Sequence, residues 1–316
     1  MARRPGGGAT GTGAGPVSYV STANEVTYER LRLDVEGVGL SVALSRRSGD
    51  APPIVFLHGF GSTKEDYVDI AYDANFAGRP FLAYDAPGCG ETVCDDLSKV
   101  SIPFLVHTAR DVLRAAGIER FHLVGHSMGG LTALLLAHEE PDRVLSFVDI
   151  EGNVAPEDCF LSRQVVTHAS DDAERFFDEF IERTRRSPFF SSALYAANLR
   201  VKVRPSAVRG IFESMVELSD DGDLMSKFLA LPFPRMFMYG EQNSSLSYLP
   251  ALAAGGVELA DIPNSGHFPM YSNPVAMWRR IAEFQSRVSD SQLSVTARAG
   301  GSSRSSSSRR RIPRAS

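Results

Sequence analysis

Short apolar segments that predict buried strands recur through the middle of the chain, and stretches with helical spacing separate them. Strands of this kind have no polar side to turn towards water, which is typical of a parallel sheet covered by helices on both faces. Together with an earlier pair of strands at 25–33 and 40–45, they predict an α/β fold with a mostly parallel sheet. The buried strands are predicted at residues 54–57, 80–84, 121–124, 144–150, 235–239 and 257–259.

One long stretch breaks this alternation, because residues 152–232 predict helices without strands. We interpret it as a helical cap inserted over the carboxyl edge of the sheet, which is where open α/β sheets bind ligands. The α/β core then comprises residues 24–151 and 233–285. The glycine-rich residues 1–23 and the Ser/Arg-rich residues 286–316 are predicted to be disordered tails.

The distribution of charge limits the class of partner. The chain has 316 residues and a formal net charge of −5. Six arginines and no acid follow Ser291, so the remainder of the chain is more acidic than the total suggests. An acidic body favours a small-molecule partner over a nucleic acid. The sequence leaves the oligomeric state open.

Cysteine usage and hydropathy point to a cytoplasmic protein. Three cysteines form neither a disulfide framework nor a zinc-binding spacing. Residues 1–16 lack the apolar run of a signal peptide. No segment approaches the roughly 20 apolar residues that span a bilayer. We therefore expect no membrane partner, no metal and no cofactor.

A Gly-x-Ser-x-Gly motif, centred on Ser127, lies between an apolar strand and an apolar helix. A tight turn from strand to helix forces the serine into a strained conformation and requires small residues two positions before and after it. The hydroxyl then stands at the positive end of the helix dipole, where developing negative charge is favoured. The motif predicts that Ser127 is a nucleophile. The alternative is an ordinary serine that caps the helix.

Three motifs together resemble the α/β-hydrolase family, and the resemblance covers residues 25–285. Residues 58–61, His-Gly-Phe-Gly after a buried strand, resemble the oxyanion loop of the family. Residues 85–90, Asp-Ala-Pro-Gly-Cys-Gly after the next strand, resemble its Asp-x-Pro-Gly-x-Gly turn. With the motif around Ser127, they occur in the family's order and at its spacing. The resemblance implies an eight-stranded, mostly parallel sheet with a cap.

The resemblance also implies an oxyanion hole formed by the backbone N–H groups of Phe60 and Met128. Such donors stabilise the charge that appears on a carbonyl oxygen in the transition state. His58 is expected to order its loop and not to take part in catalysis.

A serine hydroxyl needs a base to take its proton, and seven histidines are available. His126 adjoins the serine, but neighbours on a tight turn point apart. His267 follows the last predicted strand, in a loop rich in turn residues. A loop at the carboxyl edge of the sheet can reach the nucleophile, and the Gly266-His267 pair resembles a late motif of the family. We predict that His267 is the base.

The acid that should support this histidine is ambiguous. The family usually places it after the strand that is predicted to end at Tyr239, but Asn243 occupies the position where an Asp is usual. A second site known in the family, as in some members of the haloalkane dehalogenase branch, is the end of the preceding strand. Glu151 lies there, and we predict that it is the acid. Asp149 and Glu241 stay as alternatives.

A serine at the nucleophile position implies acyl transfer, because dehalogenation and epoxide opening need a carboxylate there. We expect hydrolysis of a small carboxylic ester or amide through an acyl-enzyme. Some of the aromatic residues of the predicted cap should line an apolar pocket for the acyl substrate. The candidate residues are Phe160, Phe176, Phe177, Phe180, Phe189, Phe190, Tyr195 and Phe212.

The alternatives to a hydrolase are cofactor-free lyases, perhydrolases and non-catalytic binding proteins, which share the fold.

Overall fold

A computed structural model describes residues 25–166, 172–188 and 190–301, and it confirms an α/β fold with a mostly parallel sheet flanked by helices. The strands are β1 Thr27–Val35, β2 Val38–Arg47, β3 Ile54–Leu57, β4 Phe81–Tyr84, β5 Val93–Cys94, β6 Phe121–His126, β7 Val144–Ile150, β8 Arg235–Gly240 and β9 Glu258–Ile262. The helices are α1 Ile102–Ala115, α2 Met128–Glu139, α3 Phe160–Val166, α4 Ala173–Arg185, α5 Phe190–Lys202, α6 Val208–Asp221, α7 Leu224–Leu229, α8 Leu249–Ala254, α9 Pro269–Ser272 and α10 Pro274–Gly301.

The sheet has the order β1-β2-β4-β3-β6-β7-β8-β9, and β5 pairs with β2 beside this path. The pairs β1-β2, β2-β4 and β2-β5 are antiparallel, and all the other strand pairs are parallel. The sheet therefore has nine strands, and the expected number of eight is wrong. The additional strand, β5, has only two residues, which is too short to produce a periodic signal in the sequence.

Burial explains why the central strands were visible in the sequence. Every residue of β3, β4, β6 and β7 is buried, so each strand appears as a mostly apolar run. In α2, all residues from Met128 to Ala137 are buried as well, because this helix packs against β3, β6 and β7. The carboxyl ends of these strands therefore stand on a tightly packed base.

Between β7 and β8 the described chain is helical, with helices α3 to α7 and short 3-10 turns at Pro156–Cys159 and Pro205–Ala207. The sequence pattern predicts helices at 172–185, 205–217 and 224–230, which correspond to α4, α6 and α7, but it does not predict α3 or α5. Helix α5 contains no strongly amphipathic stripe, because alanine and serine interrupt its apolar residues.

The last helix extends beyond its expected end. A disordered tail was expected from residue 286, whereas α10 continues to Gly301, so residues 286–301 are helical in this structure. Residues 286–301 contain no proline, the residue that would interrupt a helix most strongly. The predictions of disorder for residues 1–23 and 302–316 lie outside the described residues.

Candidate active site

The turn between β6 and α2 holds Ser127 in an unusual backbone conformation, with φ 52° and ψ −119°. Two glycines make this turn possible. A Cβ on Gly129 would lie 2.1 Å from the carbonyl oxygen of Leu57, and a Cβ on Gly125 would lie 2.6 Å from that of Gly129. A side chain at either position would push α2 away from the sheet. The strain at Ser127 is thus maintained by close backbone packing.

His267 lies in the loop between β9 and α9, and its ring faces Ser127. Its Nε2 is 3.0 Å from Ser127 Oγ, within hydrogen-bond distance. The side chain is 42% exposed, so the imidazole contacts the serine and is also accessible from the cavity above it. A base in this position can take the serine proton and then pass it to a group that enters from the exposed side.

Glu151 follows β7 directly, and its φ of 48° turns the side chain back towards His267. Its Oε2 accepts a hydrogen bond of 2.8 Å from His267 Nδ1. The two alternative carboxylates have other partners: Asp149 accepts the N–H of Gly152, and Glu241 accepts the N–H of Asn264. Of the three acids considered, Glu151 is therefore the one that the fold brings to the histidine.

Asn243, which occupies the position where the family usually has an Asp, donates hydrogen bonds to this carboxylate. Its Nδ2 lies 2.9 Å from Oε1 and 2.7 Å from Oε2 of Glu151, and the N–H of Gly240 donates to Oε1 at 2.7 Å. Burial by itself would raise the pKa of Glu151, but the hydrogen bonds from His267, Asn243 and Gly240 bring the pKa below its ordinary value. Glu151 is therefore ionised at neutral pH although it is buried.

His126 is a second residue that the sequence did not identify as part of this arrangement. It is buried beside Ser127, and its Nε2 donates to the carbonyl oxygen of His267 at 2.7 Å. Burial and the nearby His267 lower the pKa of His126 well below its usual value, so the ring is neutral. It anchors the backbone of the histidine loop. The only signal for this role was its place next to Ser127.

The two N–H groups expected to form an oxyanion hole lie just beyond the ends of adjacent strands. Leu57 of β3 pairs in register with Gly125 of β6, and Phe60 and Met128 each lie three residues further along. His58 accepts the N–H of Ala86 at Nε2, while its Nδ1 donates to the carbonyl oxygen of Gly59. These bonds agree with the expectation that His58 orders its loop.

A cavity of about 580 Å³ opens above Ser127 and His267, between the sheet edge and the helical segment. Of the aromatic residues considered for its lining, Phe160, Tyr195 and Phe212 line it, whereas Phe176, Phe177 and Phe180 are buried outside the lining. Phe189 lies outside the described residues, as does the side chain of Phe190.

In the part of the chain that the structure describes, no cluster of three or more His, Cys, Asp or Glu side chains is arranged to hold a metal ion. The described helices include none that is both long enough and apolar enough to cross a bilayer. The three cysteines are free thiols.

Asp149 gives a prediction about stability. It is fully buried, and its Oδ2 has no hydrogen-bond partner among the described residues. Burial raises its pKa well above the usual range, and the charges of Asp158 and Glu151 add to this effect. The folded protein therefore holds a proton that the unfolded chain releases near pH 4, so this group costs stability as the pH rises.

We expect the Asp149→Asn variant to gain stability relative to wild type as the pH is raised from about 5 to about 8, because asparagine has no proton to lose. Urea denaturation at both pH values measures the change in the free energy of unfolding. The same substitution at the exposed Asp50 is the control for the general effect of replacing a carboxyl by an amide. A pH-independent difference at Asp149 would show that this carboxyl is not protonated in the fold.

Comparison with known proteins places the chain in a family. The sequence profile of the Alpha/beta hydrolase family matches residues 54–280. A pimeloyl-[acyl-carrier protein] methyl ester esterase of Aeromonas salmonicida (strain A449) is 29% identical over 218 residues, which are 65% of this chain and 82% of that protein. A 2-succinyl-6-hydroxy-2,4-cyclohexadiene-1-carboxylate synthase of Enterobacter sp. (strain 638) is 25% identical over 241 residues, which are 73% of this chain and 91% of that protein.

A solved structure shows the same fold at lower sequence identity. A thermophilic esterase from Thermogutta terrifontis superimposes with a TM-score of 0.64 and 21% identity, over 82% of this chain and 99% of that chain. The profile match extends from β3 into α10 and so includes Ser127, Glu151 and His267. The chain belongs to the Alpha/beta hydrolase family.

Proposed function

We propose that the protein is a serine hydrolase that cleaves a small carboxylic ester or amide through an acyl-enzyme intermediate. The observation that carries this proposal is the continuous hydrogen-bonded chain from Ser127 Oγ through His267 to Glu151, at 3.0 and 2.8 Å. A nucleophile, a base and a carboxylate that orients the base are the three groups that acyl transfer to serine requires.

The reaction follows from this geometry. His267 Nε2 takes the proton of Ser127 as Oγ attacks the substrate carbonyl, and a tetrahedral intermediate forms with negative charge on the carbonyl oxygen. The imidazolium then gives its proton to the leaving alcohol or amine as the C–O or C–N bond breaks. Water, deprotonated by the same histidine, attacks the acyl-enzyme and releases the acid. Glu151 holds the imidazole in the required tautomer and stabilises its positive charge.

The intermediate needs hydrogen-bond donors, and we assign this role to the N–H groups of Phe60 and Met128. The register of β3 and β6 supports this assignment. The close contact of Gly129 with Leu57 also supports it, because it brings the two loops side by side. Met128 is also the first residue of α2, where the helix dipole adds positive potential. Backbone donors held this rigidly need no reorganisation as charge develops.

The helical segment at residues 152–232 acts, in this proposal, as a cap that closes the substrate cavity over a core formed by residues 24–151 and 233–285. Phe160, Tyr195 and Phe212 line the cavity and belong to this segment. Their apolar surface suits an acyl group, and its burial would exclude bulk water from the ester carbonyl. The names of the matched esterases agree with this substrate class.

A fluorophosphonate probe tests the nucleophile directly. Attack by an activated serine expels fluoride and leaves a stable phosphonyl ester, so the mass of the wild-type protein should rise by one adduct. Ser127→Ala should remain unlabelled, and Ser98→Ala, an exposed serine outside the site, should label like wild type. Labelling without turnover of any ester would favour a cofactor-free lyase, a perhydrolase or a binding protein on the same fold. Labelling of Ser127→Ala would exclude Ser127 as nucleophile.

A further inference from the structure

Charged residues of both signs border the substrate cavity. Three acids border it, namely Glu151, Glu157 and Asp158, whereas Arg183 is the one Lys or Arg among the described residues of its lining. An otherwise apolar pocket with one cation on its wall is a pattern that favours a ligand with a matching anion.

The topology places these charges on opposite flanks of Ser127. Phe60 follows β3, Ser127 follows β6, and Tyr248 lies beyond β8, so the strand order β3-β6-β7-β8 puts the nucleophile between them. Asp158 accepts the hydroxyl of Tyr248 at 2.8 Å, which fixes it on the β8 side. Arg183 lies on the β3 side, because its guanidinium is 5.9 Å from the ring of Phe180, which in turn is 6.3 Å from Phe60.

The acids on the β8 side are already satisfied by neutral donors. Glu157 accepts the N–H and the hydroxyl of Ser247, at 2.9 and 2.8 Å. Besides Tyr248, Asp158 accepts the N–H groups of Val154 and Ala155. Burial raises the pKa of Asp158 to about 6, despite these bonds. The lowered pKa of Glu151 keeps that carboxylate charged, and this flank repels a second anion.

Arg183 differs from these acids, since its guanidinium lies over the face of Phe180 and none of the described carboxylates pairs with it. Phe180 is 1% exposed, so the guanidinium rests on a fixed apolar surface and its N–H groups remain available. Arg185, on the same helix, pairs with Glu182. A guanidinium presents a planar fork that suits a carboxylate.

We propose that Arg183 binds a carboxylate carried by the substrate, so that the substrate class is a carboxylic ester or amide with a second, negatively charged group. The inference rests on the proposed function. The acyl carbonyl lies at Ser127, the charged end extends past Phe60 to Arg183, and the neutral end lies towards Asp158. Attraction on one flank and repulsion on the other thus orient the substrate.

Two pairs of esters test this assignment. One pair is 4-nitrophenyl butyrate and the 4-nitrophenyl monoester of glutaric acid, which carries its charge on the acyl part. The other pair is phenyl butyrate and 4-(butanoyloxy)benzoate, which carries it on the leaving group. For each pair the measured quantity is the ratio of kcat/KM for the charged ester to that for the neutral one. We expect Arg183→Gln to lower this ratio about fivefold to tenfold in at least one pair, as for a partly exposed charge-assisted hydrogen bond.

Two control variants separate this role from a general effect of charge. Arg183→Lys keeps the cation and should retain most of the ratio, and Arg186→Gln, which removes an exposed arginine outside the cavity lining, should leave it unchanged. Added salt should lower the wild-type ratio. An unchanged ratio in Arg183→Gln for both pairs, or an equal fall in Arg186→Gln, would overturn the assignment while neutral-ester turnover still supported the hydrolase. Absence of any turnover that depends on Ser127 would overturn the proposed function itself.

Discussion

Replacement of Ser127 by alanine is expected to lower kcat for ester hydrolysis by about 10⁶-fold, and replacement of His267 by alanine by a similar factor. The two atoms that exchange the proton, Ser127 Oγ and His267 Nε2, are 3.0 Å apart, so neither group can act without the other. The double variant should therefore be hardly less active than either single variant. Steady-state hydrolysis of 4-nitrophenyl butyrate measures all three.

Controls for this prediction come from residues of the same type elsewhere. His138→Ala removes an exposed histidine near the end of α2, and Ser98→Ala removes an exposed serine; both should keep the wild-type rate. Urea denaturation should show that the Ser127 and His267 variants remain folded. If the losses in kcat from the two single variants multiplied in the double variant, the residues would act independently and the proposed mechanism would be wrong.

The Glu151→Gln variant is expected to lose about 10⁴-fold in kcat, as for the equivalent change of carboxylate to amide in a well-studied triad. An amide cannot stabilise the imidazolium that forms when His267 takes the serine proton. In addition, the amide NH₂ of a glutamine would meet donors on every side, since His267 Nδ1, Asn243 Nδ2 and the N–H of Gly240 all point at this carboxylate. The same ester assay measures the loss.

Variants of neighbouring residues sharpen this test. Asn243→Ala keeps the carboxylate and removes one of its donors, so we expect a much smaller loss, of about tenfold. Glu241→Gln should have little effect on turnover, because Glu241 accepts the N–H of Asn264 at 2.8 Å and does not contact the histidine. If Asn243→Ala were more damaging than Glu151→Gln, Glu151 would not be the acid.

Much of the candidate site was predictable because its residues stand at the ends of buried strands. Parallel strands end at one edge of a sheet, so the residues that follow β6, β7 and β9 had to come close to one another. Ser127 also carried a local signal, the glycines on either side of a strained turn. His267 was distinguished from the other histidines by its place in a loop after the last strand.

Other parts of the site were not predictable in this way. Asn243 and His126 act by donating hydrogen bonds to Glu151 and to the backbone of His267, and such contacts depend on the positions of two loops. The shape of the cavity depends on how α3 to α7 pack, and their crossing geometry leaves no pattern in one sequence. Arg183 lies over Phe180 because the two residues are one turn apart on α4, but its place beside the cavity follows from that packing.

The sequence by itself determined the α/β fold and the order of its elements, because buried strands and helices each impose a period on the apolar residues. It also determined which serine stands on the turn from strand to helix. Only the tertiary structure decided which of three carboxylates meets His267, since Asp149, Glu151 and Glu241 all lie at or near strand ends and differ in direction. The φ of 48° at Glu151 sets the direction of its side chain. Hydrogen bonds from Gly240 and Asn243, which are distant in sequence, keep the carboxylate in that position.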